Sequence, residues 1–356
     1  MNLSLHLTKN CNLACSYCYQ QHESETMSHE TARAAVDLVF SYPHTGHGFS
    51  LFGGEPLLNR TVIEDLLVYA AQKAKQMGKT MSYKMTTNGT LLTEDFLQLA
   101  DTHHIAIALS HDGAQHDSSR RFADGRGTAE LLESKITLLL KHQLNAVALA
   151  TVTPQTLPHM GESVRWLYER GFLRVNTALD ARPDADWTDE SIATLQAQYR
   201  EIGDYLTAQA RSGRVLNYLN FTTKIHAHVT GKGCITCELG ATQPSVNADG
   251  KLYPCNQFVG LPEFQMGDVW QGVDIGRLRD FSSRKTSPTV CEDCAVNDRC
   301  RHACACLNYQ QTGQLDCVSP AQCEMERLLI AEADRVGGAL YALLGEGFLQ
   351  RFGAYE

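Results

Sequence analysis

The sequence predicts an α/β protein: a partial (β/α)6 barrel followed by a cysteine-rich C-terminal region. Three observations point there. Six short apolar stretches bounded by turn residues recur through the first half of the chain. Amphipathic stretches separate them, as strand–helix crossovers in a parallel sheet require. The thirteen cysteines are confined to positions 11–18 and 234–323, outside that regular stretch except at its start.

The expected strands are 3–8, 48–53, 82–87, 105–110, 146–152 and 173–179. The first helix starts at Ser28, a capping residue with Glu30 close behind. A second helix covers "RTVIEDLLVYAAQKAKQMG", with Gly78 as its C-terminal stop. "TEDFLQLADTH" and "TAELLESKITLLLKHQ" supply two more. Six strand–helix units suit a partial TIM-like barrel better than a closed eight-fold one. Beyond about residue 185 the pattern changes to one long helix, "TDESIATLQAQYREIGDYLTAQARSG". A Gly- and Cys-rich region of little periodicity follows, then a final helix, "QCEMERLLIAEADRVGGALYALLG", opened by Cys323. The expected organisation is a core at 1–185, a helical bridge at 186–233, a cysteine-rich domain at 234–330, and a terminal helix and tail at 331–356.

Composition narrows the function. The net charge of −9 and the lack of a basic tract argue against nucleic acid. No apolar run approaches the roughly 18 residues of a membrane span. "MNLSLHLTKN" has no signal-peptide pattern, so a cytoplasmic location is expected. In a reducing compartment, clustered cysteines point to metal or iron–sulfur ligation rather than disulfides.

"TKNCNLACSYCYQ" holds Cys11, Cys15 and Cys18 in the spacing CX3CX2C. Three thiolates on a loop after a strand can hold three irons of a 4Fe–4S cube and leave the fourth open for a ligand. A zinc knuckle or buried thiols is the plainer alternative. The second strand ends in "LFGGEP", placing Gly53, Gly54, Glu55 and Pro56 at a strand end where ligands gather in parallel sheets. "KMTTNGTLL" brings Thr86, Thr87 and Asn88 to the end of the third strand, and "ALSHDGAQHDSSRR" follows the fourth.

These motifs together resemble the radical S-adenosylmethionine (SAM) superfamily. The resemblance implies that the open iron chelates the amino and carboxylate groups of SAM, whose reductive cleavage gives a 5′-deoxyadenosyl radical. It implies that Tyr17, beside Cys18, packs near the adenine. It implies that the Gly53–Pro56 segment takes the amino group, that Asn88 lies near the active site, and that Ser110 and Arg120 meet the ribose and carboxylate. Arg121 is the alternative to Arg120. His116 and Asp117 read as a loop-capping pair.

The C-terminal cysteines extend the resemblance. Cys237 is followed by twelve residues, Gly250, four residues and Cys255; "CEDCAVNDRCRHAC" then spaces Cys291, Cys294, Cys300 and Cys304 as CX2CX5CX3C, and Cys323 follows. This is similar to the SPASM extension of radical SAM peptide maturases. It implies two auxiliary 4Fe–4S clusters, three in all. One takes Cys237, Cys255 and Cys304, with Cys234 as the fourth ligand or an open site. The other takes Cys291, Cys294, Cys300 and Cys323. Cys306 and Cys317 are left over, and Cys317 is the rival to Cys323.

"YPCNQFVGLPEFQMGDV" resembles the "YPCHQFVG" context of thioether-forming maturases. Sulfatase-maturating relatives carry a basic Asp directly after this cysteine, whereas this chain has Asn256, and an amide is no general base near neutral pH. The resemblance therefore implies oxidative thioether or carbon–carbon crosslinking of a ribosomally made precursor peptide. A flavodoxin or ferredoxin would act as reductant. Cys11 comes so early that a leader-recognition domain does not fit ahead of it, so a separate protein or the core itself is expected to read the leader. Epimerisation, dehydrogenation, formylglycine formation and a non-catalytic iron–sulfur electron carrier are the alternatives.

Overall fold

A computed structural model describes residues 1–233, 239–284, 289–300 and 304–353. The elements run β1 (Asn2–His6), α1 (His29–Ser41), β2 (Gly46–Phe52), α2 (Arg60–Met77), β3 (Thr80–Thr87), α3 (Glu94–Thr102), β4 (Ile105–Ser110), α4 (His116–Ser119), α5 (Ala129–His142), β5 (Val147–Val152), α6 (Met160–Glu169), β6 (Arg174–Leu179), α7 (Asp189–Arg211), β7 (Asn217–Tyr218) and α8 (Leu219–Thr230). Short strands β8 (Ser245–Val246), β9 (Leu252–Tyr253), β10 (Gly267–Asp268) and β11 (Gly272–Val273) follow, then α9 (Ile275–Arg284), α10 (Ala305–Thr312), α11 (Pro320–Leu344) and α12 (Glu346–Phe352). All six expected strands form within two residues of their expected bounds.

The chain divides into two compact units. In the first (residues 1–110, 119–146 and 238–284), β4, β3, β2, β1 and β8 lie side by side and parallel, with β9 antiparallel on β8. Alternation explains the packing. Leu3 and Leu5 of β1 are fully buried, as are Val36 and Val39 of α1 and Ile63, Leu66 and Leu67 of α2. Ser4 and His6 point to the other face. Local signals set the helix ends. The Ser28 hydroxyl accepts the N–H of Thr31 to start α1, and Thr93 accepts that of Phe96 to start α3. Gly78 stops α2 in the left-handed conformation, at φ 63°.

In the second unit (residues 111–118, 147–237 and 285–356), β5, β6 and β7 are parallel, and α11 packs against α7 and α8. Gly203 of α7 admits the Glu332 carboxylate and the Val336 methyl of α11; an added Cβ would stand 2.3 Å from Glu332 Oε1. Lys224 of α8, 1% exposed, is paired with Glu326 of α11 and with the Arg299 carbonyl. The sequence pattern points to no helix at α4, α6, α8, α9, α10 or α12. Cys323, expected to open the last helix, lies in the first turn of α11, and α12 follows. No helix among the described residues is long and apolar enough to cross a membrane.

Candidate active site

The cysteine loop leaves β1 and is tied down on two sides. Toward β2, Gly54 N–H donates to the Thr8 carbonyl (2.8 Å) and Glu55 N–H to that of Asn10 (3.0 Å). Toward the segment after α4, Ala14 N–H donates to Arg121 O (2.8 Å) and Ser16 N–H to Ser119 O (3.0 Å). Within the loop, a turn joins Cys18 N–H to Cys15 O at 3.0 Å. Cys11, Cys15 and Cys18 are half-buried, and none is in a disulfide. Cys11 Sγ accepts the N–H of Leu13 (3.4 Å) and the amide of Asn88 (3.8 Å). Burial pushes the Cys11 thiol up to about 12, and the nearby charges of Glu55, Cys15 and Cys18 add to the rise.

The turn after β2 depends on its glycines. Gly53 has φ +131°, and a Cβ there would lie 2.4 Å from Thr8 O; one on Gly54 would lie 2.2 Å from Asn10 O and 3.1 Å from Cys11 Cβ. Any side chain would push the cysteine loop away. Pro56 then starts a 3-10 turn at Pro56–Asn59. Glu55 is fully buried. Its Oε1 accepts Leu57 N–H (3.0 Å) and Thr87 Oγ1–H (2.8 Å), and its Oε2 accepts Asn88 N–H (2.8 Å). Burial pushes this carboxyl up to about 7 against those three donors. Of roughly four lone-pair positions on a carboxylate, three are filled by protein, leaving room for one further donor.

Asn88 is the link between this turn and the cysteines. Its amide donates to Asn12 Oδ1 (2.9 Å) as well as to Cys11, Asn12 donates to Thr90 Oγ1 (2.8 Å), and Thr90 Oγ1 donates to Asn88 Oδ1 (2.7 Å). Asn12 and Thr90 escape sequence reasoning as site residues, whereas Thr87 stands at the strand end that the sequence places near the site. The available signal is their position, each within two residues of Cys11 or Asn88. Arg120 is buried with its guanidinium 5.2 Å from the Tyr17 ring, while Arg121 is exposed and donates to Gly125 O (3.0 Å). The geometry thus separates the two arginines and puts Arg120 beside Tyr17. Ser110 ends β4, half-buried. His116 accepts the N–H of Asp112 at 3.2 Å, a loop-capping contact.

Asn256 begins a short turn directly after Cys255. Its Oδ1 accepts the Ser245 hydroxyl (2.7 Å) and lies 3.2 Å from His6 Nε2. His6 is 2% exposed, and burial pushes it down to about 4, so it is neutral near pH 7.

In the second unit, Cys291, Cys294 and Cys323 stand close enough for the charges of Cys323 and Cys294 to raise the Cys291 thiol, after burial itself. Cys300 follows the 3-10 turn Asn297–Arg299, half-buried. Cys304 Sγ lies 3.4 Å from Cys306 Sγ, and Cys306 is buried. Cys317 is exposed. Cys255 is half-buried in the first unit, and Cys234 and Cys237 lie outside the described residues.

No group of three or more His, Cys, Asp or Glu among the described residues is drawn together as a single metal ion requires. A 4Fe–4S cube spreads its ligands over separate irons. The donor chemistry at the cysteine loop fits it: three thiols outside any disulfide, N–H donors to a sulfur, and a glycine turn pressed against the loop.

Residues 5–167 match the model of the Radical SAM superfamily. The chain is similar to the cysteine-type anaerobic sulfatase-maturating enzyme of Clostridium perfringens (strain 13 / Type A), at 24% identity over 311 residues covering 82% of each. In fold it is similar to native anSMEcpe with bound AdoMet and a peptide, with TM-score 0.82 and 19% identity over 96% of this chain and 99% of that one. It is also similar to Streptococcus suis SuiB bound to precursor peptide SuiA, with TM-score 0.63 and 16% identity over 90% of this chain and 75% of that one. The fold class is accordingly the α/β partial, TIM-like barrel that the strand–helix units predict. Residues 5–167, which contain the cysteine loop, the Gly53–Pro56 turn and Asn88, are a radical SAM domain.

Proposed function

We propose that this radical SAM enzyme modifies a peptide or protein, most simply by oxidative thioether or carbon–carbon crosslinking of a ribosomally made precursor. Cys11, Cys15 and Cys18 hold a 4Fe–4S cluster, and Gly53, Gly54, Glu55, Pro56, Asn88, Ser110, Arg120 and Tyr17 surround the SAM site. When bound, cluster and SAM supply a 5′-deoxyadenosyl radical that takes a hydrogen atom from substrate carbon. The chain's own part is to hold and shield. Asn88 steadies Cys11 and the β3 end, Glu55 fixes Asn88 and keeps one lone pair for a cationic group, and Arg120 braces Tyr17. The C-terminal cysteines hold two auxiliary clusters, giving three in all within a SPASM-like 234–330 segment, with the long helix before it as a bridge. A flavodoxin- or ferredoxin-type protein supplies electrons.

The observation that carries the crosslinking reading is Asn256. With its Oδ1 engaged by Ser245 and facing neutral His6, it offers amide N–H groups and no base. One observation favours a second reading, formylglycine formation: the chain matches the sulfatase-maturating enzyme over 82% of both lengths. Relatives crystallised with peptides support a peptide substrate under either reading. The test is to express the enzyme with the peptide encoded beside its gene and fragment the product in a mass spectrometer. Loss of two hydrogens with no fragmentation inside a bridged segment is expected. A hydrazide-reactive aldehyde would replace the first reading with the second.

A further inference from the structure

Arg327 stands over the C-terminal cysteines and has no part in the function proposed above. It lies on α11, one turn beyond Cys323, at the i,i+4 spacing that puts two side chains on one helix face. Its Nη2 donates to Cys294 Sγ at 3.6 Å, and Cys323 and Cys291 lie near enough for its charge to act on them. One cation thus faces three of the four cysteines assigned to the second auxiliary cluster. Glu324 is the acidic group beside it.

A guanidinium on the protein surface usually serves as a solvated end or a weak ion pair. Here it is directed at sulfur from two chain segments, the Cys291–Cys294 turn and α11. Adding an electron to a thiolate-bound cluster deepens its negative charge. Hydrogen bonds to the sulfurs and a nearby cation favour that reduced form.

We propose that Arg327 is a positioning residue that raises the reduction potential of the cluster held by Cys291, Cys294, Cys300 and Cys323. This rests on the cluster assignment above.

The test uses full-length protein, reconstituted anaerobically, as wild type, Arg327→Lys, Arg327→Met and Cys323→Ala. Iron content is measured first, and each reduced cluster is then followed by electron paramagnetic resonance during a potentiometric titration. Cys323→Ala should remove one resonance and so identify the cluster. In Arg327→Met that resonance should need a lower potential, with its reduced-to-oxidised ratio at fixed potential falling about tenfold, a shift of about 59 mV for a one-electron couple. Arg327→Lys should fall less, and the other resonances should not move. Equal midpoints in all three proteins overturn the proposal, as does an equal shift of every cluster. Loss of the cluster in Arg327→Met with retention in Arg327→Lys also overturns it, in favour of a role in assembly. If Cys323→Ala keeps every resonance and all its iron, the cluster assignment fails, and the proposal with it.

Discussion

Glu55 Oε2 at the end of β2 accepts the backbone N–H of Asn88 at the end of β3, 2.8 Å away, and the Asn88 amide is directed in turn at Cys11 Sγ. One buried carboxyl therefore couples two strand ends to the cysteine loop. Removing its hydrogen-bonding capacity should disturb the loop without any change in the cysteines. Glu55→Ala is expected to lower the iron retained at the N-terminal site and to reduce 5′-deoxyadenosine formation at least tenfold. Iron analysis and chromatography of the nucleoside check this, and wild-type values for both would refute the coupling.

The same carboxyl gives the cofactor-free protein an alkaline-side weakness. Burial raises Glu55 from 4.5 to about 7, so the folded state holds its proton more tightly than the unfolded chain. Its contribution is full below the unfolded value and is lost as pH rises through about 7, a loss on the order of 3 kcal/mol. Urea midpoints should fall across that window in wild type and much less in Glu55→Gln. The same slope in both would assign the effect elsewhere.

His6 has the opposite sign. Burial lowers it from 6.5 to about 4, so the unfolded chain binds the proton first. The stability it contributes is full above the unfolded value and is lost as pH falls toward about 4, again on the order of 3 kcal/mol. Thermal unfolding of His6→Gln should be less acid-sensitive than that of wild type. Because the Glu55 and His6 windows overlap, each needs its own variant, and an unchanged acid slope in His6→Gln counts against the buried neutral imidazole.

Gly54→Ala tests the contact between turn and loop. Its added Cβ meets the Asn10 backbone oxygen at 2.2 Å, with no flexible side chain to yield. The expected result is destabilisation of about 2 kcal/mol or more with reduced N-terminal iron. Calorimetry and iron analysis measure the two effects. An unchanged melting temperature with full iron would show that the loop has slack.

The spare cysteines provide a test of wiring. Cys317 is exposed and Cys323 stands with Cys291 and Cys294, so Cys317→Ala should keep its iron while Cys323→Ala loses about four irons per chain. Cys306→Ala should also keep its iron, although Cys306 lies against Cys304. Iron loss in Cys306→Ala or Cys317→Ala would require a different ligand set.

The six strands were legible because each is a short apolar run ended by turn residues, and α1 and α2 because Ser28 and Gly78 mark their ends. Helix α8, "LNFTTKIHAHVT", was not legible: it is rich in β-branched residues, which favour other conformations, and it is held by packing on α11 and by the buried Lys224–Glu326 pair. Neither partner can be read locally. The site divides in the same way. Cys11, Cys15, Cys18 and the Gly53–Pro56 turn announce themselves by spacing, whereas the choice of Arg120 over Arg121 depends on which one turns inward to Tyr17. Asn12 and Thr90 matter through bonds around Asn88 that only the folded strand ends create.

The most direct measurement is SAM cleavage by the purified, anaerobically reconstituted and reduced protein. Wild type should convert SAM to 5′-deoxyadenosine and methionine without any peptide present, and the Cys11→Ala/Cys15→Ala/Cys18→Ala triple variant should form neither while staying folded. Equal 5′-deoxyadenosine from the triple variant, or none from wild type carrying its full N-terminal cluster, would contradict the assignment of residues 5–167 to radical chemistry.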